Sequence, residues 1–225
     1  MQYKGIENQI RRCSNGVGPK VCPHLDVVVI ALCLVVLGFA HGSAWGLEEI
    51  ATIDPLPPMD GPGERKLGWQ WHYIDHDGKA GFMEKVVADG DTASYTRSDG
   101  CTWTRPVKGF APAKKWSDCP SSGTASVSFV SGDIWPLEVG NTFTWRYSGN
   151  SNLFAKVWKT KRSCTVMPSV RIRTVSGEHD VHKVHCEERW GTRTWWLSPQ
   201  VGTAVAYRQI TKRSKLLQEM THIVP

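Results

Sequence analysis

Ser126-Val127-Ser128-Phe129-Val130, followed at once by Ser131-Gly132, alternates hydroxyl and apolar side chains and then breaks. A period of two places Val127 and Phe129 on one face and the serines on the other, the pattern of a half-buried strand. Similar punctuation recurs at Asp77-Gly78, Asp89-Gly90, Asp99-Gly100, Ser122-Gly123, Ser148-Gly149 and Ser176-Gly177. Strands of about five to eight residues fit between such breaks, and a helix of ordinary length does not. The reading is all-β: an antiparallel, strongly curved sheet or half-barrel over residues 67–225. Leu216 to Met220 is the one stretch there with helical potential, and it reads equally well as a strand.

Composition sets the outer limits. Of 225 residues, 40% are hydrophobic and 21% charged, too apolar for a disordered chain and too polar for a polytopic membrane protein. The 21 glycines and 13 prolines follow no fixed period, which excludes collagen and simple solenoids. Two basic stretches, Lys156, Lys159, Lys161, Arg162 and Lys212, Arg213, Lys215, read as solvated strand faces, and no nucleic-acid partner is expected. The eleven tryptophans are the oddity. A sheet with few strands gains the most apolar area per residue from indoles, so most of them belong in a core. Two open similar runs, Trp71-His72-Tyr73 and Trp145-Arg146-Tyr147, which suggests two half-repeats, 67–130 and 131–225.

Upstream, Val27 to Ala40 is an uncharged apolar run preceded by Lys4, Arg11, Arg12 and Lys20 and followed by Gly42, Ser43 and Ala44. It is short of the roughly 20 apolar residues of a spanning helix and suits the core of an export signal. Residues 1–44 therefore read as an apolar helix, either a signal peptide or an uncleaved membrane anchor, and the rest as periplasmic or otherwise extracytoplasmic. Arg11-Arg12 lies too far from the apolar run for a twin-arginine signal. Cys33 lacks the small preceding residue that lipid attachment needs. Residues 45–66, with Pro55, Pro57, Pro58, Pro62, Gly61 and Gly63, read as a stiff, extended tether.

Cysteines split across this boundary. Cys13, Cys22 and Cys33 fall in the leader, leaving Cys101, Cys119, Cys164 and Cys186 in the exported part. Four cysteines allow three connectivities. Cys101 with Cys119 and Cys164 with Cys186 are favoured, because each pair closes a short stretch of a hairpin-rich chain in an oxidising compartment.

Trp135-Pro136-Leu137-Glu138-Val139-Gly140, the Val175 to Cys186 segment and Thr194-Trp195-Trp196-Leu197-Ser198-Pro199-Gln200-Val201-Gly202 follow one another in that order. Together they resemble uncharacterised bacterial cell-envelope β-domains, distantly like the lipoprotein carriers LolA and LolB. In those domains a WPL-x-VG run precedes a glycine-containing K-V strand and a WW-x-SP-x-VG hairpin. The likeness covers about residues 130–210 and departs at Glu178, His179 and His182. It implies a concave aromatic-lined sheet for a hydrophobic or lipidic ligand, and it carries over no catalytic residue.

Constellations that would support chemistry are thin. His179, His182, His185 and Cys186 sit on a strand whose alternation divides them between two faces, so no compact metal shell is expected. Asp75, Asp77, Gly78 and Glu84 mimic a calcium loop, but Tyr73 stands where its first carboxylate belongs, and Asp77-Gly78 reads as a hairpin turn. Common nucleophile, phosphate-loop and dinucleotide motifs are absent from the sequence. Glu84, Asp91, Glu138, Glu187 and Glu188 read as solvated carboxylates, with a hydrolase as the outside alternative. No cofactor and no enzymatic activity are expected. The reading is an exported binding or structural β-domain, with Trp71, Trp145, Trp158 and Trp196 as candidate contacts for a lipidic ligand. The alternative is a glycan or peptidoglycan binder using an exposed indole, since adjacent Trp195 and Trp196 must point to opposite faces.

Overall fold

The computed structural model describes residues 46–63, 66–107 and 110–225. The leader expected over residues 1–44, with Cys13, Cys22 and Cys33, lies outside the described residues.

Thirteen strands follow one another. They are β1 (Glu48–Thr52), β2 (Gln70–Asp75), β3 (Ala80–Asp89), β4 (Thr92–Arg97), β5 (Thr102–Pro106), β6 (Lys115–Ser117) and β7 (Gly123–Gly132). Then come β8 (Thr142–Ser151), β9 (Phe154–Thr174), β10 (Gly177–Glu188), β11 (Gly191–Ser198), β12 (Thr203–Thr211) and β13 (Lys215–Val224). Consecutive strands from β2 to β13 pair antiparallel, and β13 returns to β2. The result is a closed, all-β, 12-strand antiparallel barrel, so the curved sheet expected from sequence closes on itself. The two W-x-Y runs lie on β2 and β8.

β1 stands outside the ring, and the 21 residues of β9 explain how. The first part of β9, up to Thr165, pairs with β8, while Val170 to Arg173 pair with β1. β10 runs along the other edge, from Arg162 to Thr174. The distal β9–β10 hairpin supplies Val170, Ile172 and Val181 to a core that also holds Trp196, Val205 and Ala206, with Leu47 packed against it. A second core closes one end of the barrel. There Phe110 from the β5–β6 connection and Ile134 and Leu137 from the β7–β8 connection pack with Phe143, Trp145 and Val184.

Three of the seven signal glycines, Gly78, Gly90 and Gly100, fall between strands, and Gly123 and Gly177 open β7 and β10. Asp75 explains the first: its Oδ1 accepts hydrogen bonds from the backbone N–H groups of Asp77 and Lys79, each at 2.9 Å, and Gly78 has φ of 78°. Ser148-Gly149 instead lies inside β8, and Gly132 is the last residue of β7. Leu216 to Met220 is strand. The run that decides the fold class is strand too, but not half-buried: Val127, Phe129 and Val130 are all exposed. β6 has three residues and on β7 pairs only with Gly123 and Thr124, so nothing described covers the adjoining edge of β7 beyond them except a bond from the Ala125 N–H to the Lys114 carbonyl.

The proline-rich segment differs from a tether. Beyond β1, Ile53 N–H donates to the Ser169 carbonyl at 3.0 Å, Met59 bridges to fully buried Leu137, and Gly63 N–H donates to the Gly202 carbonyl. Prolines leave few backbone donors to satisfy, and those of Ile53, Leu56 and Gly63 are spent on the barrel, so residues 46–63 belong to the folded domain.

Candidate functional site

Along the middle of β9 and β10, alternation sends Lys161, Ser163, Thr165, Lys183, His185 and Glu187 to one face and Arg162, Cys164, Val184, Cys186 and Glu188 to the other. The second set faces the interior, where a cavity of about 1210 Å³ runs between the walls. That is somewhat larger than the roughly 300–1,000 Å³ of common ligand pockets. Its aromatic lining comes from all round the ring, with Trp71 and Tyr73 on β2, Trp103 on β5, Trp116 on β6, Trp158 on β9 and Trp195 on β11.

So many rings would fill a barrel if they pointed at its axis. Three do not, because each lies across a glycine on the neighbouring strand. Tyr73 pairs with Gly81, Trp116 with Gly123 and Trp158 with Gly149. A Cβ on Gly149 would stand 2.6 Å from the Trp158 ring, and one on Gly123 would stand 2.5 Å from the Trp116 ring. The absent side chains let the rings lie flat on the wall and keep space open beside it.

The polar part of the interior is a network on Glu188. Its Oε2 accepts hydrogen bonds from Tyr147 Oη at 2.7 Å and from Arg162 Nε and Nη2 at 3.0 and 2.8 Å. Its Oε1 accepts one from Arg193 Nε at 2.9 Å. Arg162 Nη1 also donates to the Phe110 carbonyl at 2.7 Å, and Arg193 Nη1 donates to Tyr207 Oη at 3.0 Å. Burial pushes the Glu188 carboxyl up, but Arg193 and Arg162 outweigh it, and the group titrates at about 2. Burial pushes the Tyr147 phenol up to about 12. An ionised Glu188 has no proton to give, which is the wrong state for a general acid near neutrality.

Two of the four candidate tryptophans meet in this cavity. Trp71 is buried in the wall, and Trp158 sits edge-on to Tyr147 and Trp190, with ring centroids 5.7 and 5.4 Å away. Trp145 lies instead in the end core, edge-on to Phe143 at 4.1 Å. Trp196 faces away from Trp195 and is fully buried: its Nε1 donates to Glu49 Oε1 at 3.2 Å and the Arg208 guanidinium lies 5.0 Å above the ring. Trp103, Trp116, Trp190 and Tyr207 line the cavity with no local sequence signal pointing to them, and Trp195, of the adjacent Trp195-Trp196 pair, lines it too. For Trp116 the usable signal was a glycine at the paired position, visible only once register is known.

The remaining constellations have structural occupations. His179 Nε2 lies 3.1 Å from Ser176 Oγ, and His185 Nδ1 lies 3.0 Å from Thr194 Oγ1. His182 is fully buried, and burial lowers its pKa against a smaller opposing effect of the Pro57 backbone. Cys164 and Cys186, directly opposed on β9 and β10, form one disulfide, and Cys101 and Cys119 form the other. Glu84 Oε2 accepts from Gln70 Nε2 at 3.0 Å, and Glu187 is exposed on the face opposite Glu188.

No family model and no curated protein matches this chain. Solved structures with a similar course of the chain include a hypothetical lipoprotein, YmcC, from Escherichia coli, at 10% identity and a TM-score of 0.44, covering 74% of this chain and 91% of that one. A protein from Bacteroides fragilis described as exported and of YmcC-like fold gives 14% identity and a TM-score of 0.38, covering 75% of this chain and 100% of that one. A protein from Parabacteroides distasonis described as a lipoprotein gives 10% identity and a TM-score of 0.38 over 75% of this chain and 100% of its own.

Proposed function

We propose that this chain is an extracytoplasmic, non-catalytic β-barrel that binds a hydrophobic or lipidic molecule in its interior, as the resemblance of its motifs to envelope β-domains distantly like the carriers LolA and LolB implies. One observation carries the reading: a space of about 1210 Å³ is kept open in the barrel by aromatic rings laid against glycines. A barrel selected only for stability would fill that space, since close packing of apolar side chains stabilises a core and voids weaken it. Transfer of an apolar chain into such a lining gains about 25 cal/mol per Å² removed from water. Two disulfides support the compartment, because such bonds persist where thiols are not kept reduced.

Native mass spectrometry of the protein purified without detergent tests the proposal, followed by organic extraction of whatever co-purifies. A bound apolar species, displaced when Trp158 is replaced by a charged residue, is the expected result. An empty barrel that also fails to take up added acyl probes would refute it.

A further inference from the structure

We infer that the guest is an amphiphile with an anionic head, a carboxylate or a phosphate, seated at one end of the barrel with its apolar tail toward the other; this rests on the carrier reading above. Six arginines and one lysine line the cavity, and Glu188 is the single carboxylate among the described lining residues. Arg97 is neutralised by Asp99 beside it. Glu188 is shared by two guanidinium groups, those of Arg162 and Arg193, so one positive charge there goes uncompensated by the described residues. The Arg193 side chain keeps 27% of its surface exposed, against 5% for Arg162.

Apart from Arg105, whose guanidinium lies over the Tyr95 ring toward the other end, the charge is also segregated along the barrel. Arg193 lies two residues from the start of β11 and pairs across to Gln209, near the end of β12. Arg189 in the β10–β11 turn and Lys212 and Arg213 in the β12–β13 turn emerge at that same end and are exposed. The opposite end is closed by the Phe110, Trp135 and Leu197 cluster. A neutral guest would leave the excess guanidinium charge in a low-dielectric space without a counter-ion. An anion near Arg193 supplies one, and the rim cations draw it in.

Calorimetric titration of the purified protein at low salt with dodecyl phosphate, dodecanol and inorganic phosphate tests the inference. Dodecyl phosphate is expected to bind at least tenfold more tightly than dodecanol. That preference should fall toward parity in Lys212→Gln/Arg213→Gln, whose side chains are exposed at the rim, with dodecanol affinity unchanged, and it should fall in Arg193→Gln as well. Equal binding of the two amphiphiles would overturn the anionic head and leave the carrier reading standing. A preference undiminished in both variants would overturn the assigned seat. Inorganic phosphate binding as tightly as dodecyl phosphate, or no binding by any of the three, would overturn both readings.

Discussion

At the scale of single residues, the open interior depends on what three glycines lack. A Cβ on Gly149 would meet the Thr124 carbonyl oxygen at 2.3 Å, and one on Gly123 would meet the Asn150 carbonyl oxygen at 2.2 Å. Backbone at that distance has little freedom to retreat, so Gly149→Ala and Gly123→Ala should each cost about 1–3 kcal/mol in denaturant unfolding. Gly61→Ala is the control, with nothing within 4 Å of its Cβ, and should stay within about 0.5 kcal/mol of the parent. Glu188 makes a second claim. Its folded pKa of about 2 lies below the ordinary 4.5, so its contribution is complete above pH 4.5 and disappears as pH falls through about 2. That contribution is about 3 kcal/mol. An acid titration of stability should lose this slope in Glu188→Gln, which at neutral pH should itself be destabilised by about 3–5 kcal/mol because Arg162 stays buried without its counter-charge. Neither role was readable beforehand. Glu188 looks like any charged residue near a turn, and Gly149 reads as a turn signal, because the chain does not announce which neighbour will lie across it.

At the scale of elements, local pattern carried far. Alternation and Asp-Gly pairs locate the hairpins β2–β3, β3–β4 and β4–β5, since a tight turn with a positive-φ glycine needs no distant partner. The favoured cysteine pairing follows from the same local logic, and both disulfides join neighbouring strands or the turns beside them. Cys101 and Cys119 flank the shortest element of the ring. The three residues of β6 offer few ladder bonds, so the covalent tie does much of the holding there. Replacing this pair by serines should cost roughly 3 kcal/mol in thermal unfolding, by the loop-closure estimate for about 20 residues. The same change at Cys164 and Cys186 should cost more, since both are fully buried between paired strands and serine hydroxyls there would need partners. Equal losses at the two sites would contradict this ranking.

At the scale of the whole molecule, closure was beyond local reading: the pairing of β13 with β2 is set by the summed twist and register of every strand between them. The proline-rich segment was misjudged for a related reason, because its composition suits an extended spacer while its bonds to Ser169, Leu137 and Gly202 depend on a barrel that must form first. A variant beginning at residue 66 should therefore unfold at a markedly lower temperature and bind hydrophobic dyes, whereas a free tether could be removed without effect. The short β6 has one more consequence. From Ser126 to Gly132 no described strand pairs with the edge of β7 that faces away from β8. In deuterated solvent the wall will begin to label there, well before the disulfide-stitched β9–β10 ribbon, and the stave beside that gap is where this cask first leaks.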